Sequence, residues 1–229
     1  MIKIRFLIRK CPVIAGYSKT RQEMIPIPDN DKTACIILSG GLSSRMNTHK
    51  ALLRFSERQN FLEHIIEIYH QAGVKKIIVV KNVNIKLSDR WADNNMVSIV
   101  ENHFPEMGRL YSLQLGTMAM DSAAYSFIQN IDNPFVTTHL LAQLLEVRKK
   151  ADHISPEYKG KGGHPVLISP VVVSKIRGMK EYDNTLRDLL RPYCRYKLIT
   201  DDEHCIVNIN DQEAYETHIK MKREMHTEP

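Results

Sequence analysis

The chain has 229 residues, 43% of them hydrophobic and 25% charged, with a formal net charge of +6. At this length a core needs no disulfide or metal staple, and one or two domains are allowed. The positive charge does not imply a nucleic-acid partner. Residues 1–32 carry seven basic and three acidic side chains, so +4 of the charge sits there and only +2 is left for the rest. No basic stripe able to track a phosphate backbone remains.

Residues 1–32 read as an extension, a weak strand or a disordered arm, outside the catalytic domain expected over 33–229. Met1 to Lys10 alternates apolar and basic residues, which gives neither a signal-peptide core nor the ~20 apolar residues of a membrane span. Cys11, Cys35, Cys194 and Cys205 show no Cys-x-x-Cys spacing. That argues against a disulfide framework or zinc site and for reduced thiols in a cytoplasmic protein.

From Ala34 onward, strand and helix patterns alternate. Ala34 to Leu38 is a short apolar run entering Ser39-Gly40-Gly41, the pattern of a buried strand followed by a loop. Asn60 to Ala72 has helical apolar spacing with Gly73 at its end. Lys76 to Val80 and Val97 to Val100 read as strands, Leu110 to Met120 as a helix and Tyr125 to Ile131 as a strand. Thr137 to Lys150 reads as a helix, His164 to Ser169 as a strand and Thr185 to Leu190 as a short helix. Tyr196 to Thr200 and Cys205 to Ile209 read as strands, followed by a helix from Asp211 to about Arg223. The alternation predicts an α/β fold, a mostly parallel sheet with helices on both faces. Ligands in such sheets bind beyond the carboxyl ends of the strands, so the loops after Leu38, Val80, Val100 and Ile131 should line one crevice.

The first of these loops carries the most chemistry. In Leu38-Ser-Gly-Gly-Leu-Ser-Ser-Arg-Met-Asn-Thr-His-Lys50, paired glycines allow close backbone approach, and exposed N–H groups can form an anion-binding concavity. Arg45 and Lys50 add full charges suited to phosphates. A P-loop is excluded because Lys50 is followed by alanine and lacks the preceding glycine. The dinucleotide fingerprint is excluded because no third glycine follows Gly41. Taken alone, the segment fits a flexible strand-to-helix turn with two surface charges equally well.

The same loop resembles the signature L-x-x-G-x-S-x-R-M-G-x-x-K of the MobA-like NTP transferases, with Leu38, Gly41, Ser43, Arg45, Met46 and Lys50 in register. Asn47 stands where the family usually has glycine. Asn102 to Gly116 resembles N-P-x-x-x-x-G-M-x-x-S-L-x-x-G through Asn102, Gly108, Ser112, Leu113 and Gly116. Asp132-Asn-Pro134 resembles the family's D-x-P, and Gly163-His-Pro-Val166 a segment of its cytidylyltransferase branch. Asn208 to Tyr215 resembles D-I-D-T-P-E-D-Y, with Asn208 and Asn210 in place of aspartates.

The resemblance implies a single Rossmann-like domain of the nucleotide-diphospho-sugar transferase type. It also implies transfer of a nucleoside monophosphate from an NTP to a phosphorylated small molecule. Lys50, Arg45 and Asp132 are then the catalytic candidates. Leu38, Ser39, Gly40, Gly41, Ser43, Asn102, Gly108 and Ser112 would bind the nucleotide, and Asp132 and Asn210 would hold Mg2+. His164 is assigned no catalytic role. Asn208 and Asn210 also suit the N-cap of the last helix. The acceptor expected first is molybdopterin, with a molybdoenzyme as eventual recipient. Sugar phosphates, phosphocholine and a catalytically silent nucleotide-binding module are the alternatives. The Leu-Ser-Gly-Gly opening looks like the branch that uses GTP, whereas Gly-His-Pro-Val looks like the branch that uses CTP.

Overall fold

The computed structural model describes residues 33–40, 48–83, 85, 95–121 and 124–220. Gly41, Ser43, Arg45, Met46 and Asn47 lie outside the described residues, as do the N-terminal extension and the end of the last helix.

Four strands are parallel: β1 (Thr33–Ser39), β2 (Lys76–Asn82), β3 (Val97–Asn102) and β4 (Tyr125–Asn130). They lie in the order β3-β2-β1-β4, so β1 is flanked on both sides, as its fully buried apolar run requires. Alternate side chains leave the sheet on opposite faces. Cys35, Ile37, Ile77 and Val79 pack under α1 (Phe61–Gln71) and α3 (Thr138–Glu146). Ala34, Ile36, Ile78 and Val80 pack under α2 (Gly108–Met118) and α4 (Pro170–Arg177). Two helical layers around a mixed, mostly parallel sheet match the predicted α/β class.

Both faces show why the helices sit where they do. Helix α1 begins in a capping box, with Asn60 and Glu63 each satisfying the other's backbone N–H; such caps contribute about 1 kcal/mol. Helix α2 crosses β1 and β2 at Gly116, where an added Cβ would lie 2.4 Å from Ile36 Cγ2. Only glycine permits that approach. Gln114, two residues earlier, donates to the carbonyls of Ile176, Arg177 and Met179, which ties α2 to the end of α4.

The second half of the sheet matches the sequence reading in part: the strands at 166–168 and 195–199 and the helix at 186–190 were expected, whereas the hairpin within 153–162 was not. Strand β5 (His153–Tyr158) forms a hairpin with β6 (Lys161–Gly162). It also pairs antiparallel with β7 (Val166–Ile168), which joins the sheet beside β4. Strand β8 (Arg195–Ile199) then pairs with β5 in parallel, following α5 (Leu186–Leu190). Cys205 to Ile209 is not a strand. Residues Glu203–Ile206 form a 3-10 turn, whose carbonyls are taken by side chains and loop backbone instead of a ladder. The last helix begins as predicted, with α6 (Gln212–Tyr215) continuing as a π-helix over Glu216–Lys220, and its expected end near Arg223 lies outside the described residues. Cys35 and Cys205 are free buried thiols. The reduced-thiol expectation fails at Cys194, which is disulfide-bonded in the half-exposed loop before β8.

Candidate active site

The carboxyl ends of β1, β3 and β4 open on one side of the sheet, and the candidate residues collect there. Lys50 starts the 3-10 turn Lys50–Leu52, which is anchored by fully buried Ala51 and capped by the His49 imidazole. Its ammonium donates to Asn210 Oδ1 at 2.8 Å and lies 3.7 Å from Asp132 Oδ2. The Lys50 side chain is 14% exposed and that of Asp132 27%. Three segments far apart in the chain thus meet at one cation.

The neighbouring Asn133 makes this meeting possible. Its Nδ2 bonds the carbonyls of His204, Cys205 and Val207, while its own carbonyl accepts from Gln129 Nε2 at 2.7 Å. Gln129 is in turn held by the Tyr69 hydroxyl at 2.9 Å. Ile209 N closes the junction on Asp132 O at 2.6 Å. The x of D-x-P is therefore the staple that delivers Asn210, a role that no motif signalled. Asp211, not either asparagine, caps α6 by accepting from Ala214 N at 2.9 Å. Asn210 is thereby left to face Lys50, and Asn208 is exposed beside it.

The nucleotide-binding candidates fall into two groups. Leu38 ends in the core under α2, so only its backbone borders the crevice. Ser39 is fully buried at the strand end, and its Oγ has no hydrogen-bond partner among the described residues. Gly40 faces α2 closely enough that a Cβ there would lie 3.4 Å from Ser112 Oγ. Ser112 Oγ accepts from Asn102 Nδ2 at 2.9 Å, and Asn102 Oδ1 accepts from Phe104 N at 2.8 Å. Asn102 and Ser112 fasten the turn into α2, which Gly108 opens with a φ of 83°.

A cation fits the acidic end. Asp132 Oδ1 is buried and has no hydrogen-bond partner among the described residues, and the Asn210 amide oxygen converges on the same ammonium as its sister Oδ2. The described residues contain no cluster of three His, Cys, Asp or Glu side chains that would cage a metal. One carboxylate plus neutral oxygens is the donor set of a hard cation that completes its shell with phosphate and water.

Residues 35–199 match the MobA-like NTP transferase domain. The chain belongs to the MobA-like NTP transferase family. A probable molybdenum cofactor guanylyltransferase of Bacillus mycoides is 29% identical over 194 residues, covering 80% of this chain and 94% of the relative. The molybdenum cofactor cytidylyltransferase of Escherichia coli is 26% identical over 184 residues, covering 80% and 93%. Among solved structures, Rv0371c of Mycobacterium tuberculosis superposes with a TM-score of 0.68 at 20% identity, covering 82% of this chain and 98% of that one. Its manganese complex superposes with a TM-score of 0.64 at 18% identity, with the same coverage. The chain is thus a nucleotidyltransferase by family, and the likeness to solved structures establishes the fold.

The transferase carries a second polar chain beside Asp132 that the sequence did not reveal. Arg109 donates through a terminal nitrogen to Asn130 Oδ1, and Asn130 Nδ2 lies 3.1 Å from His164 Nε2. Because Oδ1 is committed to arginine, the amide donates to the imidazole. Burial, followed by the nearby Arg109 charge, pushes His164 down to about 4 despite Asp132. Burial and Arg195 similarly hold His153 at about 4. At neutral pH both rings are neutral, so His164 is a hydrogen-bond acceptor and not a charged phosphate ligand.

A stability profile follows. Both folded values lie below the ordinary 6.5, so between about pH 6.5 and 4 the unfolded chain binds more protons than the folded one. The stabilisation is complete above pH 6.5 and is lost as pH falls through about 4. Urea titrations should show unfolding free energy dropping over that window, with the double change His153→Gln and His164→Gln flattening the slope. An unchanged slope would exclude these two histidines as its source.

Proposed function

We propose that this chain transfers a nucleoside monophosphate from CTP or GTP to a phosphorylated small molecule in the cytosol, with release of pyrophosphate. The acceptor is molybdopterin, which a molybdoenzyme later receives. Residues 33–229 form the transferase domain, and 1–32 are an extension to it. The observation that carries this reading is the Lys50 ammonium, 3.7 Å from the Asp132 carboxylate and 2.8 Å from the Asn210 amide. Both curated relatives described above transfer a nucleotide in molybdenum cofactor chemistry, one guanylyl and one cytidylyl.

In the reaction, an acceptor phosphate oxygen attacks the α-phosphorus while the bond from that phosphorus to the β-phosphate oxygen breaks. Pyrophosphate leaves with the electron pair. A phosphate monoester is already ionised at neutral pH, so no general base is needed, and catalysis reduces to positioning and charge stabilisation. Backbone N–H groups from Ser39 through Gly40 and Gly41 to Ser43, with the Arg45 side chain, grip the triphosphate. Asn102, Gly108 and Ser112 hold the α2 entrance against Gly40. Lys50 stands where charge grows around the α-phosphate. Asp132, with Asn210, would hold Mg2+, which when bound supplies positive charge to the phosphate oxygens without moving a proton. The manganese seen with Rv0371c supports a divalent ion.

A pyrophosphate-release screen tests the reading. CTP, GTP, ATP and UTP are each offered with molybdopterin, sugar phosphates and phosphocholine, with and without Mg2+. Mg2+-dependent release with molybdopterin and CTP or GTP is expected. Release with another acceptor alone transfers the assignment to that acceptor, and nucleotide binding without release under any condition makes the chain a binding module.

A further inference from the structure

The turn between β3 and α2 holds a large apolar side chain in water. Phe104 is 54% exposed, and Met107, at the far end of the 3-10 turn Pro105–Met107, is 42% exposed. A lone exposed apolar residue is ordinary; Phe104 differs in how firmly it is held. Its backbone N–H donates to Asn102 Oδ1 at 2.8 Å, and the fully buried Asn102 is itself tied to Ser112. Its ring meets that of Tyr111 at 6.3 Å between centroids and 68° between planes, and Tyr111 meets Tyr182 at 5.2 Å and 75°. The Tyr182 hydroxyl donates to Gln114 Oε1 at 2.6 Å, while the amide nitrogen of buried Gln114 donates to three carbonyls at the end of α4. The exposed ring thus stands on a ladder of rings that ends in the core. Tyr111, steeply inclined to it, covers at most one of its two faces, and no other aromatic ring meets Phe104 among the described residues.

We infer that Phe104 is the platform on which the base of the donor nucleotide stacks. The inference deepens the nucleotidyl-transfer reading above and rests on it. In that reading the triphosphate lies on the loop after β1, and the metal and Asp132 lie beyond β4, on one side of β1. The base then extends to the other side, where β2 and β3 end. Two strand spacings, ~10 Å, separate the ends of β1 and β3, which is about the reach from a nucleotide's phosphates through its ribose to its base. Asn102 joins the two regions: it fixes Phe104 N and bonds Ser112, whose Oγ is the group that Gly40 approaches. A heteroaromatic base presents a flat π-face, and aromatic rings pair in offset-stacked or edge-on arrangements. Because the platform is fixed before the ligand arrives, little ordering cost is left for binding. Stacking is tolerant of base identity, since every base has such a face. Phe104 therefore supplies affinity for the nucleotide, and the choice between cytosine and guanine falls to other groups.

The test is calorimetric binding of CTP, GTP and tripolyphosphate, in the presence of Mg2+, to wild type, Phe104→Leu and Phe104→Tyr. Tripolyphosphate is the phosphate chain without ribose or base. Phe104→Leu keeps an apolar side chain but loses the ring, and should weaken the nucleotide that wild type binds by at least ~5-fold, the low end for one base on one ring. Tripolyphosphate affinity should not move, which shows that the phosphate grip is intact. Phe104→Tyr keeps the ring and should recover most of the loss. Equal nucleotide affinity in wild type and Phe104→Leu, or a parallel loss for tripolyphosphate, overturns the inference. So does a raised KM for molybdopterin with unmoved nucleotide affinity, which would give the ring to the acceptor. If wild type binds nucleotide but transfers it to no acceptor, the transfer reading fails alone and the binding comparison still decides. If wild type binds neither CTP nor GTP, both fall.

Discussion

Replacing Lys50 with methionine is expected to lower kcat by roughly 10²–10³-fold while leaving the protein folded, the loss typical for removing one strong electrostatic group from a reaction centre. Two magnitudes separate the functional effect from the structural one. A unit charge ~4 Å from a phosphate is worth about 1 kcal/mol in water and about 4 at an effective dielectric of 20. The Lys50 side chain, 14% exposed among crevice walls, belongs nearer the second figure once substrate excludes water. Its contribution to stability is smaller. The contact with Asp132 is at 3.7 Å and that carboxylate is 27% exposed, so it can rehydrate when the ammonium is gone, and such pairs contribute about 0–1 kcal/mol. Steady-state kinetics beside a thermal melt separates the two. A kcat within a few-fold of wild type, or a melt that collapses, contradicts the assigned role.

Asp132→Asn should be the more damaging change, with turnover lowered at least ~10³-fold at any Mg2+ concentration. The substitution keeps the side-chain volume and the backbone carbonyl that accepts from Ile209 N, so the junction to Asn210 survives. What it removes is the charge on a carboxylate whose buried oxygen has no hydrogen-bond partner among the described residues. Changes outside a metal's own ligand set typically cost 10–100-fold in affinity, so loss of a ligand's charge should weaken Mn2+ binding to the protein–NTP complex by at least ~10-fold. Free Mn2+ measured by EPR reports this without reference to turnover. Mn2+ affinity equal to wild type would place the metal elsewhere.

The first half of the fold was legible because its signals are local. Apolar runs at Ala34–Leu38 and Lys76–Val80 can only be buried strands once glycine turns and amphipathic helices separate them. The strand-end rule then put Lys50 and Asp132 on the same side of the sheet. In the second half, the strands at 166–168 and 195–199 were legible, but two features were not. Strand β5 is buried, yet it reads His-Ile-Ser-Pro-Glu-Tyr. Its polar side chains are satisfied across the sheet, Ser155 by Arg195 and Glu157 by Lys197, partners more than thirty residues away. Cys205, Val207 and Ile209 alternate as a strand should, but Asn133 and the backbone of His164 claim carbonyls that a ladder would need.

The site shows the same division. Lys50, Asp132 and Asn210 stood out because each falls in a motif whose chemistry explains it. Asn133 was only the middle letter of D-x-P, and its work on the 204–207 turn is tertiary. Arg109 sat beside Gly108 at a helix start where the family has methionine, a position that reads as surface. Its proximity to Asp132 depends on Asn130, which is 21 residues away.

The most direct measurement is a crystal structure of the protein with Mn2+ and GTP or CTP, with the ion located by anomalous scattering. The account predicts an ion about 2.1 Å from an Asp132 oxygen, the spacing of a hard-cation carboxylate bond, with the Lys50 ammonium against the α-phosphate and Asn210 turned toward the ion. A triphosphate bound away from the β1 loop, or an ion that leaves Asp132 and Lys50 untouched, would contradict it.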